Sequence, residues 1–467
     1  MDVKKTRRNA PEADAFPSAG RAAHLDATEP PEDFAWDPIN RRAFLRLMGA
    51  SLALGGVGLA GCRRPEGHLV PYTASPEWVV PGKPLLYATA APAPYGGVPL
   101  FVTTYEGRPT HLQANRLFSD AGLTPQLQAS ILDLYDPDRA AGFQHNAYPT
   151  TRDQFVEFFR KEITAWREKK GAGLAVLVEP TVSPTLSLLR AEFQRRFPEA
   201  LLCAYDPVGD GVRVAAAKQF FDQRLSLLPR WAEADVILSV GCDFASGDAE
   251  GPWAVRGVAA RRRLRNPGDE MSRIYVLEER LTATGAMADH RLALKAADQA
   301  AFLALIAREL GAAGLLPLEP FGRAAGDSWG EPVRKWAKAV AQDLARAQRP
   351  LVVAGGEYPL PVQLLVLAIN AAFEKRSALD LIPALEDEAR PLESIAEEIR
   401  KENVQALLIL GANPVYTAPV ELDWIRLQRS VPEVIHLGLL ADETALASHW
   451  HVPMAHYLES WGDALAP

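Results

Sequence analysis

Residues 405–414 read QALLILGANP. Five apolar residues in a row, Ala406 to Leu410, run straight into Gly411. An uninterrupted apolar run of strand length that stops at a turn residue fits a strand buried on both faces, as parallel sheets bury theirs under helices. The same pattern recurs at Ala234–Gly241, Pro350–Gly356 and Glu433–Gly438, and without the glycine at Gly173–Val178, Ala200–Tyr205 and Arg273–Glu278. Helical stretches separate these runs. Thr151-Arg152-Asp153-Gln154 is a capping box, and after it Phe155, Phe158, Phe159, Ile163 and Trp166 share one helical face. Further helices are expected from about Ser183 to Phe197 and from Pro361 to Phe373. Strands alternating with amphipathic helices imply doubly wound, mostly parallel α/β architecture.

Ahead of that alternation the chain is rich in proline and glycine. Leu85–Thr89 and Pro99–Thr104 read as strands, and Glu106-Gly107-Arg108-Pro109 as the turn of a hairpin. The expected organisation is a small β-rich domain over 63–150, a first α/β domain over 151–330 and a second over 331–467. A stretch near 312–330, rich in glycine and proline, serves as the linker.

Glycine turns at strand ends are where such sheets hold nucleotides and phosphates. The candidates are Gly241, Gly355, Gly356 and Gly411, with Asn413 beside the last. No G-x-G-x-x-G and no phosphate-binding P-loop pattern accompanies them, and a tight strand-to-helix turn needs glycine for geometry alone.

The first 62 residues read as an address. Between Arg46 and Cys62 lie fifteen uncharged residues, about 22 Å of helix against about 30 Å of hydrocarbon. A basic segment, a short apolar segment and small residues make a signal peptide. Arg41 and Arg42 form a twin-arginine export signal, and Leu59-Ala60-Gly61-Cys62 resembles a bacterial lipobox. On this reading 1–39 is a disordered leader, 40–62 is the signal, and Cys62 carries the lipid. The mature chain is then tethered to the periplasmic, outer face of the bacterial inner membrane. The other reading is a core helix with a buried cysteine.

The formal net charge is −8, and basic runs such as Arg261-Arg262-Arg263 lack interleaved aromatics, which argues against nucleic acid. Cysteines number three, Cys62, Cys203 and Cys242, with no C-x-x-C. Four thiolates for an iron–sulfur cluster or a cysteine-rich zinc site are not there. Cys203 and Cys242 follow apolar runs and read as buried thiols, with a disulfide between them left open. Asp442, Glu443, His449, His451, His456, Glu459 and Asp463 crowd the last stretch, but Val452-Pro453 interrupts any single ligand-bearing helix face. Asp289-His290-Arg291 is read as a structural loop before an acid–base group.

Several longer segments resemble one family. They are Arg41–Ser51 with Gly61-Cys62-Arg63-Arg64-Pro65, Val80–Leu85, Ala129–Arg139, Thr284–Leu292, Gly411-Ala412-Asn413-Pro414-Val415-Tyr416, Asp442-Glu443-Thr444, His449–Pro453 and Tyr457–Asp463. Together they resemble the molybdopterin-oxidoreductase-like half of the large iron–sulfur subunit of bacterial alternative complex III, a quinol-oxidising assembly. The resemblance implies a scaffold that holds no molybdenum cofactor. It also implies no catalytic residue and no metal ligand in this chain. Iron–sulfur clusters and haem are then expected in partner chains or in a further C-terminal half. The implied partners are a ferredoxin-like iron–sulfur protein or domain, multihaem cytochrome c subunits and quinol-binding polytopic membrane subunits. Two departures stand out. The family reads Gly-Asn-Pro where this chain has Ala114-Asn115-Arg116, and its members continue past the point where this chain stops, at Pro467. Two other functions fit a two-lobed α/β chain on a lipid anchor: an active molybdopterin-dependent oxidoreductase subunit, and a solute-binding lipoprotein.

Overall fold

The computed structural model describes residues 78–93, 96–118, 121–209, 211–246, 251–310, 329–384 and 390–465. The export signal at Arg41 and Arg42 and the lipidation candidate Cys62 lie outside them, as does most of the 312–330 linker.

The β-rich part is a three-stranded antiparallel sheet of β1 (Leu85–Ala93), β2 (Gly96–Tyr105) and β3 (Arg108–Ala114), with β2 central. The expected hairpin joins β2 to β3 through Glu106 and Gly107, whose φ values of 53° and 79° suit a tight turn matched to strand twist. Val98, Leu100, Val102 and Leu112 pack with Ile131 beneath it.

A seven-stranded sheet follows, ordered β5-β4-β16-β15-β14-β6-β7. Its strands are β4 (Gln144–His145), β5 (Tyr148–Pro149), β6 (Leu174–Val178), β7 (Leu201–Ala204), β14 (Ala406–Leu410), β15 (Glu433–Gly438) and β16 (Trp450–Pro453). All pairs from β16 to β7 are parallel. Helix α1 (Arg152–Glu168) starts at the predicted capping box, with Thr151 Oγ1 accepting from Gln154 N at 3.3 Å. Its aromatic face packs with Trp450 and Val176 on one side of the sheet. Helix α8 (Leu392–Arg400) and Trp424 cover the other side.

The second parallel sheet is ordered β11-β10-β9-β12, from β9 (Val236–Val240), β10 (Arg273–Glu278), β11 (His290–Ala293) and β12 (Pro350–Ala354). Helices α5 (Ala296–Glu309), α6 (Glu331–Arg346) and α7 (Leu360–Ala372) bury one face. Helix α4 (Gly251–Arg261) and Trp231 bury the other. A two-stranded antiparallel piece, β8 (Leu225–Pro229) with β13 (Leu379–Pro383), packs beside α3 (Gly211–Phe221) and α7.

The architecture is the doubly wound, mostly parallel α/β type that the strand pattern implies. The division of the chain differs from the expected one. β6 and β7 pair not with β9 but with β14–β16, while β12 joins β9. One α/β unit is therefore built from two separated stretches of chain, and the other is inserted between them. Continuous apolar strands all look alike in sequence, and only long-range pairing decides which sheet each one joins.

Candidate functional site

In open parallel sheets, ligands sit beyond the carboxyl ends of the strands where the strand order reverses. In the seven-stranded sheet the order reverses between β6 and β14, flanked by Glu179 and Gly411. In the inserted sheet it reverses between β9 and β12, flanked by Gly241 and Gly355. The sequence candidates therefore stand at the two places where this architecture presents ligands.

At the inserted sheet the crevice is filled by the chain itself. Gly241 adopts φ +59°, a left-handed conformation that favours glycine. A Cβ built there would overlap the ring and hydroxyl of Tyr358. Tyr358 is buried, and its hydroxyl donates to Glu279 Oε2 at 3.0 Å. Burial raises its phenol pKa, and the hydrogen bond to Glu279 adds to the rise. Gln299 Nε2 donates to the same carboxylate at 3.2 Å. Gly355 is equally enclosed: its N–H donates to Val240 O at 3.0 Å, its carbonyl accepts from Gln363 Nε2 at 2.7 Å, and a Cβ would overlap Glu357. Gly356 is nearly open, with only Gly209 O near at 3.9 Å from a built Cβ. Behind them, buried Glu278 pairs with Arg291 and accepts from Thr282 Oγ1 at 2.7 Å, closing the turn at Gly285.

Gly411, at φ +85°, opens on a cleft of about 560 Å³. Among the described residues its walls include Asp133, Asp138, Asp442 and Glu443, and no lysine, arginine or histidine. Asn413 is at the rim with its amide engaged on both sides. Nδ2 donates to Glu443 Oε2 at 2.9 Å, and Oδ1 accepts from Thr444 Oγ1 at 2.7 Å. Asp442 accepts from Ala445 N at 2.8 Å, and burial raises its pKa. A second cleft, of about 450 Å³, follows β7 and mixes Asp206 and Glu393 with Arg190, Lys218 and Arg224. Glu179 beside it is pushed up to about 7 by desolvation in the crevice and by Asp206.

The histidines and acids of the last stretch do not converge. His449 Nδ1 accepts from Val434 N at 3.0 Å, and His456 Nδ1 from Leu458 N at 3.2 Å. Glu459 pairs with Arg139, and Asp463 accepts from Ser183 Oγ and, at 3.1 Å, from Thr185 N. His451 lies buried with Nδ1 3.2 Å from Nδ1 of His436, and burial pushes both rings down to about 4. Among the described residues no group of three or more His, Cys, Asp or Glu is placed to hold a metal ion. Cys203 and Cys242 are buried free thiols, so the disulfide left open in the sequence is not formed. Burial pushes Cys203 up to about 12, which makes it unreactive. His290 stacks on Tyr275 at 4.6 Å, and Asp289 holds Arg262 at 2.6 Å, the structural reading of that loop. Among the described residues no helix is long and apolar enough to cross a membrane.

Sequence reasoning missed Tyr358, Glu278, Glu279 and His436. One mark was available: Glu357 and Tyr358 directly follow Gly355-Gly356, a bulky acidic pair where a phosphate-holding turn keeps small residues.

The pterin dinucleotide required by one of the sequence readings, an active molybdopterin-dependent oxidoreductase, is an anion at its pyrophosphate and needs N–H donors or cations around its turns. The residues at the Gly241 and Gly411 turns do not fit it, and the cations Arg190, Lys218 and Arg224 stand apart in the cleft after β7. Tyr358 fills the Gly241 turn, and carboxylates surround the Gly411 turn.

No family model matches the chain, and no curated protein matches it in sequence. Solved structures do resemble it. Acetylene hydratase from Pelobacter acetylenicus aligns with a TM-score of 0.60 at 12% identity, over 80% of this chain and 62% of that one. The chain thus spans less than two thirds of that enzyme's length. The formyltransferase/hydrolase complex of Methylorubrum extorquens, in complex with methylofuran, aligns with a TM-score of 0.37 at 16% identity, over 63% of this chain and 82% of that one, and at that score carries no argument. At 12% identity the first likeness speaks for the fold alone, an α/β architecture that this chain shares with that enzyme.

Proposed function

We propose that the chain is a non-catalytic scaffold, the molybdopterin-oxidoreductase-like part of the iron–sulfur subunit of a quinol-oxidising complex of the alternative complex III kind. The observation that carries this reading is the self-filled crevice at Gly241, where Tyr358 and Glu279 take up the space a nucleotide would need. The acidic walls of the Gly411 cleft support it by repelling a pyrophosphate. With two buried cysteines after Cys62, the electron path runs through other chains or a further part. In this reading Cys62 anchors the chain by lipid on the periplasmic face of the inner membrane. It docks a ferredoxin-like cluster-bearing part, multihaem cytochromes and quinol-binding membrane subunits.

The test is purification of the native protein through a tag in mild detergent, with metal analysis and mass spectrometry. Iron-rich, molybdenum-free material with cytochromes and polytopic subunits is the expected result. Stoichiometric molybdenum with pterin overturns the reading in favour of a working oxidoreductase. An acylated monomer free of cytochromes overturns it in favour of solute binding.

A further inference from the structure

Exposed apolar side chains that stand singly need no explanation, but at one end of the three-stranded sheet they gather. At that end β1 begins and the β2–β3 hairpin turns. The turn of Val80 to Lys83, closed by Lys83 N donating to Val80 O at 3.0 Å, lies against the hairpin, because Gly82 N donates to Glu106 Oε1 at 3.3 Å. Strand register places the rest. Leu86 stands opposite Thr103, so Tyr105 is its diagonal neighbour on the same face, and Arg108 stands opposite Tyr105. Trp78, Val80, Leu86, Tyr87 and Tyr105 are all exposed, Trp78 at 80%. The charged residues within 78–87 and 103–108 are Lys83, Glu106 and Arg108. The one acid among them is the acceptor for Gly82 N.

Two arguments say what covers this tip. The first is its chemistry. Tryptophan and tyrosine have an apolar body and a polar edge, and settle at the headgroup level of a bilayer, while neighbouring lysine and arginine meet anionic headgroups. A protein partner's anchoring side chain is seated in a pocket instead, and neither the Gly411 cleft nor the cleft after β7 includes any of these residues. The second is chain length. Sixteen residue steps lead from Cys62 to Trp78, at most about 55 Å at full extension. Of the described residues Trp78 is therefore the one nearest in sequence to the lipid that the scaffold reading puts on Cys62. Arg63 and Arg64, next to Cys62, add charge of the sign that anionic headgroups attract. We propose that this end of the sheet is a docking tip that rests on an anionic bilayer. Trp78, Tyr87 and Tyr105 lie at headgroup level, Val80 and Leu86 meet the acyl chains, and Lys83 and Arg108 meet lipid phosphates. The proposal rests on the anchored scaffold reading and deepens it: the acyl chains hold the protein at the membrane, and the tip sets which way it faces.

The test uses the native protein reconstituted into vesicles of phosphatidylcholine and phosphatidylglycerol whose acyl chains carry bromine near the headgroup end. Bromine quenches tryptophan only at contact, and quenching is scored on vesicle-bound protein. The expected result is partial quenching that Trp78→Phe largely removes. Trp461→Phe leaves it in place, since Trp461 is exposed on the segment that meets β2 at Gly97, the opposite end of that strand. The double variant Lys83→Ser with Arg108→Ser lowers the Trp78 quenching severalfold, and so does high salt. Unchanged thermal melting shows that the variants fold. Quenching that survives Trp78→Phe overturns the proposal, because another surface then faces the lipid. Bound protein without quenching overturns it in favour of a tip that faces water or a protein partner. Equal Trp78 quenching in vesicles of phosphatidylcholine alone overturns the choice of anionic headgroups. The mass of the processed N-terminus reads the lipid on Cys62 and copurification reads the scaffold role, so their failure is distinguishable from failure of the tip.

Discussion

Gly241→Ala is the most direct challenge to the closed crevice. The substitution has two separate costs. A side chain at φ +59° costs about 1 kcal/mol in backbone conformation. The new methyl would also fall within the van der Waals envelope of Tyr358, far inside the 3.5–4.0 Å of ordinary carbon contact. Overpacking of a buried ring costs about 1–3 kcal/mol. The single variant should therefore lose about 2–4 kcal/mol. Tyr358→Ala alone removes a buried aromatic and its bond to Glu279, at about 3–5 kcal/mol. In the Tyr358→Ala background the methyl has room, and Gly241→Ala should cost only the backbone part, about 1 kcal/mol. The cycle then shows a coupling of about 1–3 kcal/mol, with the double variant more stable than additivity predicts. Urea denaturation followed by tryptophan fluorescence measures it, with each transition fitted separately because the chain holds two α/β units. Coupling within about 0.5 kcal/mol would refute the reasoning, since it would mean that the ring does not lie over the glycine.

Three further outcomes are expected. Glu433 is pushed up to about 7 by burial and by Glu162, so its folded-state pKa lies above the unfolded value near 4.5. Stability then falls as pH rises from about 4.5 to 7, and Glu433→Gln should gain on the order of 2 kcal/mol at pH 8 and little at pH 4, read from melting curves. His436 and His451 are depressed to about 4, so their contribution is full above pH 6.5 and is lost as pH falls toward 4. The chain should lose roughly 3 kcal/mol across that window, and His451→Leu should flatten the slope; an unchanged slope refutes the assignment. Arg291→Met leaves Glu278 buried at 1% exposure without its cation. The loss should be about 3 kcal/mol by urea titration, and Glu278→Gln in the same chain should recover part of it.

Much of the fold was legible in the sequence because buried parallel strands are apolar throughout. Leu174–Val178 and Pro350–Ala354 are buried at every position. The capping box at Thr151 and the hairpin turn at Glu106-Gly107 were legible because both are local, set by hydrogen bonds a few residues apart. The interleaving was not, because the pairing of Ala175 with Leu407 is long-range and leaves no local mark. The glycine turns were legible as positions and opaque as sites. Gly241 looks the same in sequence whether a phosphate or Tyr358 lies over it, and Tyr358 belongs to a different strand's turn. The acidic character of the Gly411 cleft was hidden for the same reason: Asp133 and Asp138 arrive from before the first α/β strand, Asp442 and Glu443 from after β15.

The insertion of one sheet within the other sets an order of assembly. As the chain emerges from the ribosome, β6 and β7 appear early, yet the strand that must lie against β6 follows about 230 residues later. The inserted sheet has all its strands within one continuous stretch and can fold once α7, which covers one of its faces, is made. The outer unit meanwhile holds Leu174–Val178, an apolar strand with one edge open, waiting for Ala406–Leu410. An open apolar edge is a site for pairing with other chains. Premature termination between α7 and β14 would thus leave a well-formed insert attached to an exposed strand, a form suited to aggregation and to recognition by chaperones.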